Sequence, residues 1–395
     1  MKKLVSILLI ICLLSFAPTV LSAENETKNT AETQNTATSQ VSLDLGHKVG
    51  GVYLCEASTG KMLYAENEYN AASPASVTKV MTLLLVCEAL AEGRFKLTDT
   101  VRVSAYAASM GGSQVFLEEG ERITVEDLIK SAVIASGNDA SVALAELTAG
   151  SEGEFVKLMN KRAAELGLKN TSFENTTGLD DTTVNHYSCA ADIAIMSREL
   201  IKHSVILQYS SIWQDSIRNG EFTLTNTNRL VRYYDGCNGL KTGSTDKAGY
   251  CVTVTAKRGN MQLIAVVMGA KSKEERNEVA RRLLDYGFAC FALYEADEAM
   301  LENIRITKGA TDSIAIYSAP FSSVVSKSDL SRIEKIYHIP DSINAPLSVG
   351  DQVGKIVYKI GDKEIGESSI YVKDEVLEIK FSDLLIRILK RIVCG

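Results

Sequence analysis

A chain of 395 residues with 46% hydrophobic and 23% charged residues is long enough for two or more domains and too apolar to be a disordered protein. Its formal net charge is −7 and the body of the chain has no long basic run, so no nucleic acid is expected as a partner. A cationic polymer is equally unsupported.

In chain order, the first residues, "MKKLVSILLIICLLSFAPTVLSAEN", place Lys2 and Lys3 ahead of an apolar run from Leu4 to Phe16, with small residues near Ser22 and Ala23. That layout is a cleaved secretory signal over residues 1–23, and the apolar run is short for a membrane span. An uncleaved anchor is the alternative, and either places the body of the protein outside the cytoplasm. Residues 24–40 hold no large apolar side chain, are rich in Thr, Asn, Gln and Glu, and read as a disordered spacer. Next, "VGGVYLCEASTGKMLYAEN" gives two β-prone runs separated by Ser58, Thr59 and Gly60, a hairpin.

The segment "SPASVTKVMTLLLVCEAL", residues 73–90, is an apolar helix that stops near Gly93 and carries Ser76 and Lys79 in its first turn. A helical region follows. Thr124 with Asp127 three residues on makes a capping-box-like start, "ASVALAELTAG" is a second helix ended by Gly150, "EGEFVKLMNKRAAELGL" a third and "CAADIAIMSRELIKH" a fourth. Strands then return as "GLKTGST", "GYCVTVTAKR" and "MQLIAVVMGA", the last two joined by the tight-turn pair Gly259 and Asn260. A helix, "EERNEVARRLLDYGFACFALY", closes the unit. Strands at both ends with helices between them predict one sheet assembled from the two ends, an inserted helical lobe, and a cleft between them.

From about residue 297 the texture changes to short alternating runs, a separate small all-β module to residue 378. The last stretch, residues 379–395, puts Phe381, Leu384, Leu385, Ile388 and Ile392 on one helical stripe and Asp383, Arg387, Lys390 and Arg391 on the other side. A helix with a cationic polar face suits an anionic membrane surface, the alternative being docking on the β module or a second subunit. Of eight cysteines, Cys12 leaves with the signal. The odd remainder argues against a full disulfide framework, so most are expected to be buried free thiols, with room for one bridged pair.

Three stretches carry chemistry. Ser76 and Lys79 lie on one helix face, within reach of each other, and burial in an apolar helix pushes a lysine toward its neutral, basic form, able to take a serine proton. "IASGNDAS" sets Ser136 and Asn138 in a joint between two helices, where Ser136 can pass a proton to a leaving amine and Asn138 can hold Lys79 and a substrate amide. "GLKTGSTDKAGY" puts Lys241, Thr242 and Gly243 on a strand: a fixed positive charge, a hydroxyl, and a glycine that lets substrate backbone approach. Each alone is a commonplace joint or strand end.

All three in this order, after a signal, resemble the Ser-x-x-Lys, Ser-x-Asn and Lys-Thr-Gly elements of the serine penicillin-binding and β-lactamase proteins. With "GGSQVFLEEGE", "NTTGL", "HYSCAADIA" and "NTNRL", the chain from about residue 45 onward resembles the serine-type D-alanyl-D-alanine carboxypeptidases, the low-molecular-mass penicillin-binding proteins. The resemblance implies an α+β transpeptidase-like fold, an antiparallel sheet with an inserted helical lobe over residues 41–296, followed by the β domain and tail helix. It implies removal of the terminal D-alanine from peptidoglycan stem pentapeptides, with β-lactams as covalent inhibitors and no metal or organic cofactor. Ser76 becomes the nucleophile and Lys79 its base, Ser136 and Asn138 the second element, and Lys241 and Thr242 the carboxylate-recognition strand. The backbone N–H groups of Ser76 and Ser244 become the oxyanion hole, and Arg276 a ligand for the terminal carboxylate. No Glu-x-x-Leu-Asn stretch follows the second element, which sets the chain apart from class A β-lactamases. A β-lactamase, or a non-catalytic wall-binding protein, is the rival reading.

Overall fold

The computed structural model describes residues 43–181 and 183–394, and the expected signal and spacer lie outside them. Two strands, β1 (Gly51–Glu56) and β2 (Met62–Glu66), open the fold as an antiparallel hairpin. The buried carboxylate of Glu56 ties its turn by accepting from the Ser58 and Thr59 hydroxyls at 2.8 and 2.7 Å. From the far end of the chain come β3 (Cys237–Thr245), β4 (Gly249–Arg258) and β5 (Met261–Ala270). The two groups form one antiparallel five-stranded sheet in the order β2-β1-β5-β4-β3, so the sheet is built from segments at both ends of residues 51–270. Arg258 pairs with Met261 across the two-residue turn Gly259-Asn260, whose glycine sits at φ 59°. β3, with the Lys-Thr-Gly stretch, is an edge strand.

The helical lobe lies between these strand groups in sequence. A single 3₁₀ turn, Ala75–Thr78, runs into α1 (Lys79–Ala91), so Ser76 sits on a tighter turn than the expected α-helix provides. The apolar run of α1 is buried all round, with Val80, Met81, Leu83, Leu84 and Val86 at most 1% exposed. α2 (Val125–Val133) begins with Thr124 Oγ1 accepting from Asp127 N at 3.1 Å. α3 (Asn138–Ala149) ends at Gly150 in the left-handed region, φ 83°, as a helix C-terminus favours. α4 (Glu152–Glu165) and α5 (Ala190–Leu200) follow, with shorter helices at Ala105–Ala108, Ser204–Ser210 and Leu230–Tyr233.

The closing helix is shorter than its sequence predicts. α6 (Lys273–Cys290) stops before "FALY", and Phe291–Ala296 is a strand paired antiparallel with Phe321–Ser326. Helical periodicity runs on through these residues, but a non-local ladder and the tilted and edge-on contacts of Tyr294 with Phe321 and Tyr358 override it. The strand carries the chain into the β module, whose own core is Ile304, Ile306, Ile314, Ile316, Ile356, Tyr358, Ile370 and Val372. The tail helix, α7 (Phe381–Cys394), leaves Phe381 and Ile392 80% and 72% exposed. Its Arg387 donates to Asp312 at 2.8 Å, so it meets the β module through its polar side. Cys55, Cys87, Cys189, Cys237, Cys251 and Cys290 are free thiols, and four of them (Cys55, Cys87, Cys189 and Cys251) are buried.

Candidate active site

The first residue of α1 organises the site. Lys79 is completely buried, and its Nζ lies 3.0 Å from Ser76 Oγ, 2.6 Å from Asn138 Oδ1 and 2.8 Å from the Thr177 carbonyl oxygen. Asn138 Nδ2 donates to Gly111 O at 2.7 Å, which fixes the amide so that Oδ1 faces the lysine. Two of the three neighbours of Nζ can therefore only accept. An uncharged amine has two N–H donors and one lone pair. In that uncharged form, with both donors on Asn138 and Thr177, the lone pair would face the one partner that can donate, the Ser76 hydroxyl. Burial first, and the charge of Lys241 second, hold the Lys79 pKa well below that of an ordinary lysine.

The three sequence stretches converge here. Ser136 lies on the cleft wall with Ser76 and Ser113, in the left-handed region at φ 65°. No hydrogen bond joins Ser136 Oγ to Lys79 Nζ, whose neighbours are the three just named. Asp139, next to Asn138, accepts from Val115 N and Leu117 N at 3.0 and 3.1 Å and so fastens the "GGSQVF" segment to the start of α3. On the opposite wall stand Thr242, Gly243 and Ser244 of β3 and Arg276 of α6. The cleft has a volume of about 480 Å³. Thr242 Oγ1 donates to Thr227 Oγ1 at 2.8 Å, and Arg276, 4% exposed, is braced by Asn277 Oδ1 at 3.0 Å.

Two expectations change. Lys241 is 1% exposed, sits behind Thr242 with Nζ donating to the Thr242 carbonyl at 2.7 Å, and does not itself line the cleft. Burial, then the nearby Arg276, push its pKa down to about 7, so its charge is not fixed but titrates near neutrality. Gly243 does admit a backbone, but the chain's own: a Cβ there would lie 2.8 Å from Pro74 O and from Ser76 N. Its lack of a side chain lets the strand seat against the turn that carries Ser76.

Three contributors have no motif that announces their role. The Thr177 carbonyl is a main-chain group, aimed by Asn175, whose Oδ1 accepts from Gly178 N at 2.7 Å and whose Nδ2 donates to Leu179 O at 2.7 Å. Gly178, at φ 80°, passes so near the turn that carries Ser76 that a Cβ would be 1.8 Å from Ala75 O. Buried His186 stands 2.7 Å from Thr78 Oγ1, and its Nδ1 accepts from Glu174 N at 3.1 Å. Burial lowers its pKa to about 4, so it is neutral and donates from Nε2 to Thr78. The "NTTGL" block, with its glycine, and the "HYSCAADIA" block, which opens on His186, are the traces of this support in the sequence. At the other end, Asp180 Oδ2 accepts from Thr245 Oγ1 at 2.5 Å and ties the same segment to β3.

Comparison with known proteins gives a consistent picture. The family described as D-alanyl-D-alanine carboxypeptidase matches residues 34–272, and the C-terminal domain of penicillin-binding protein 5 matches residues 288–378. The D-alanyl-D-alanine carboxypeptidase DacF of Bacillus subtilis is 43% identical over 396 residues, covering 98% of each chain. DacC of Escherichia coli, also a D-alanyl-D-alanine carboxypeptidase, is 34% identical, covering 82% of this chain and 83% of its own. The crystal structure of penicillin-binding protein 5 from Haemophilus influenzae superposes with a TM-score of 0.73 at 32% identity, covering 84% of this chain and 98% of that one.

Proposed function

The chain belongs to the D-alanyl-D-alanine carboxypeptidase family and is a serine carboxypeptidase of that kind, and on this premise we propose the residues that carry out its reaction. Ser76 Oγ attacks the carbonyl of the penultimate D-alanine while the uncharged Lys79 takes its proton. The backbone N–H groups of Ser76 and Ser244 face the developing oxyanion. Thr242 and Arg276 hold the terminal carboxylate, with Lys241 supplying positive charge from behind the strand. Ser136, on the cleft wall, relays a proton to the departing amine, and Asn138 keeps Lys79 aimed. D-Alanine leaves, and water hydrolyses the ester on Ser76. The observation that carries this reading is a completely buried Lys79 whose pKa burial holds well below the ordinary value and whose Nζ lies 3.0 Å from Ser76 Oγ. Exposure to benzylpenicillin followed by peptide mapping tests it: the adduct is expected on Ser76, and an adduct on any other residue removes the assignment.

The two lysines have opposite protonation requirements, which sets the pH profile. Lys79 must be neutral, so kcat/KM falls as pH drops through its depressed pKa. Lys241 must be charged, so kcat/KM falls again as pH rises through about 7 in the free enzyme. A guanidinium does not titrate in this range. Lys241→Arg is therefore expected to move the alkaline limb up by roughly one unit or more, as follows from a charge retained above neutrality. An alkaline limb that stays where the wild type has it would show that Lys241 does not set it.

For location, the N-terminal signal and the tail together support an enzyme outside the cytoplasm, held peripherally on an anionic membrane by α7, with the β module as the spacer between surface and cleft. No helix among the described residues is long and apolar enough to cross a membrane. The exposed stripe of Phe381, Leu384, Leu385, Ile388 and Ile392 offers the buried face, with Arg387 on its cationic side. Deleting residues 379–395 is expected to abolish sedimentation with vesicles containing phosphatidylglycerol while hydrolysis of a small peptide continues. A truncated protein that still sedimented would refute the anchor.

A further inference from the structure

The turn that carries Ser76 opens on Ala75 at φ 47°, a left-handed conformation that a residue with a Cβ keeps only where its surroundings impose it. Thr78 closes the turn and precedes α1, the position at which a threonine hydroxyl usually accepts from the first free N–H groups of a helix. Here it does not: Thr78 has helical angles, φ −45° and ψ −36°, and its side chain makes no cap bond. The completely buried hydroxyl meets His186 Nε2 instead, at 2.7 Å and 108 residues away in the chain. That ring is firmly seated. Tyr187 exchanges both main-chain hydrogen bonds with Ser172, at 3.0 and 2.9 Å, and Ser188 exchanges both with Ala72, at 2.9 Å. Phe173 meets the imidazole edge-on, 5.8 Å between centroids. Glu174 N donates to Nδ1 at 3.1 Å, so the hydrogen of the neutral ring is on Nε2, directed at Thr78.

We infer that His186 is a positioning residue for the reaction: its Nε2–H holds Thr78, and through Thr78 the turn that presents both Ser76 Oγ and the Ser76 N–H to the substrate carbonyl. Nucleophile and base are then fixed against one frame, residues 172–188. The Thr177 carbonyl of that frame holds Lys79 Nζ at 2.8 Å, and its imidazole holds the turn three residues before the lysine's own contacts begin. His186 is 3% exposed and does not line the cleft, so its contribution falls on the chemical step and not on the grip on substrate. Without the Nε2–H, the Thr78 hydroxyl is left dry and the turn is free to relax from the angle that Ala75 holds. A displacement of about 1 Å between groups that must meet in the transition state costs on the order of a hundredfold in rate.

This inference rests on Ser76 being the nucleophile, and the test keeps the two apart. Full-length wild type, His186→Asn, His186→Gln, Thr78→Val and the double variant Thr78→Val with His186→Asn are compared at a temperature where circular dichroism shows each one folded. The readouts are the second-order rate of acylation by benzylpenicillin, and kcat and KM for D-alanine release from a stem pentapeptide. Asparagine can still accept from Glu174 N but is too short to reach Thr78, whereas glutamine carries an amide N–H out to the place of Nε2. His186→Asn is expected to lower acylation and kcat by roughly tenfold or more while KM stays within about twofold, and His186→Gln to be at least about fivefold faster than the asparagine variant. The double variant should be no more than about twofold slower than Thr78→Val, because both changes remove one and the same interaction. Acylation of His186→Asn at the wild-type rate overturns the inference, and so does a glutamine variant as slow as the asparagine one or a double variant in which the two losses multiply. Should His186→Asn not fold, Thr78→Val decides alone: a tenfold loss of acylation supports the inference and a wild-type rate overturns it. An adduct mapped away from Ser76 in the wild type, by contrast, sinks the nucleophile assignment.

Discussion

Ser76→Ala is expected to eliminate D-alanine release and covalent labelling by benzylpenicillin together, with kcat/KM down by about 10³-fold or more. The size follows from what the hydroxyl alone provides. Lys79 is buried and aimed, with its pKa held down by burial, and in its uncharged form an amine held by Asn138 Oδ1 and the Thr177 carbonyl points its lone pair only at residue 76. With a methyl group there, no nucleophile stands between the base and the carbonyl. Water is a poor substitute, because the alanine side chain fills much of the space and the lysine sits behind it. The loss should be confined to chemistry. Ser76 is partly exposed on a 3₁₀ turn, so removal of one hydroxyl is expected to shift stability by no more than about 0.5 kcal/mol. A thermal melt that matches wild type with no adduct in the intact mass spectrum is the expected pair of results. An adduct that persists in the alanine variant would move the nucleophile elsewhere, and Ser136 would be the next hydroxyl to examine.

How much of this site can be read before any coordinates depends on the range of each contact. The Ser76 and Lys79 pair is local: three residues along one turn bring the groups together, and the unbroken apolar run behind them says the lysine is dry. Helix ends and tight turns are also local, and Thr124, Gly150 and the Gly259-Asn260 pair stand where their side chains or φ angles require. Non-local groups are harder. That Asn138 reaches Lys79 across 59 residues follows only from the resemblance to known sequences, since nothing in "SGND" specifies which cleft it faces. The Thr177 carbonyl has no sequence identity at all, because every residue carries the same oxygen. Lys241 reads as a permanent cation in a nine-residue strand, and only its burial behind Thr242 next to Arg276 brings its pKa to about 7. The strand Phe291–Ala296 fails for a related reason: apolar spacing there fits either a helix or a strand, and the partner that decides lies thirty residues on, at Phe321–Ser326.

Gly178→Ala should do to the site from the outside what Ser76→Ala does from within. Two costs fall on the same atom. At φ 80° an alanine occupies the left-handed region, at ~1–2 kcal/mol. Its Cβ would also stand 1.8 Å from Ala75 O and 2.7 Å from Thr78 Oγ1, so one of the two segments has to move, an overpacking cost of ~1–3 kcal/mol. Whichever segment gives way, the base is disturbed. The turn Ala75–Thr78 carries Ser76, while residue 177 supplies the carbonyl that holds Lys79 Nζ at 2.8 Å. A shift of about 1 Å between groups that must meet in the transition state costs on the order of a hundredfold in rate. Gly167→Ala separates the two costs: that glycine is also left-handed, at φ 72°, but nothing lies within 4 Å of where its Cβ would go. It should lose the conformational share of stability and keep full activity, whereas Gly178→Ala should lose both stability and roughly a hundredfold in kcat/KM. If the two variants melted alike and hydrolysed a pentapeptide alike, the contact between the 175–179 segment and the nucleophile turn would not be what aims Lys79 at Ser76.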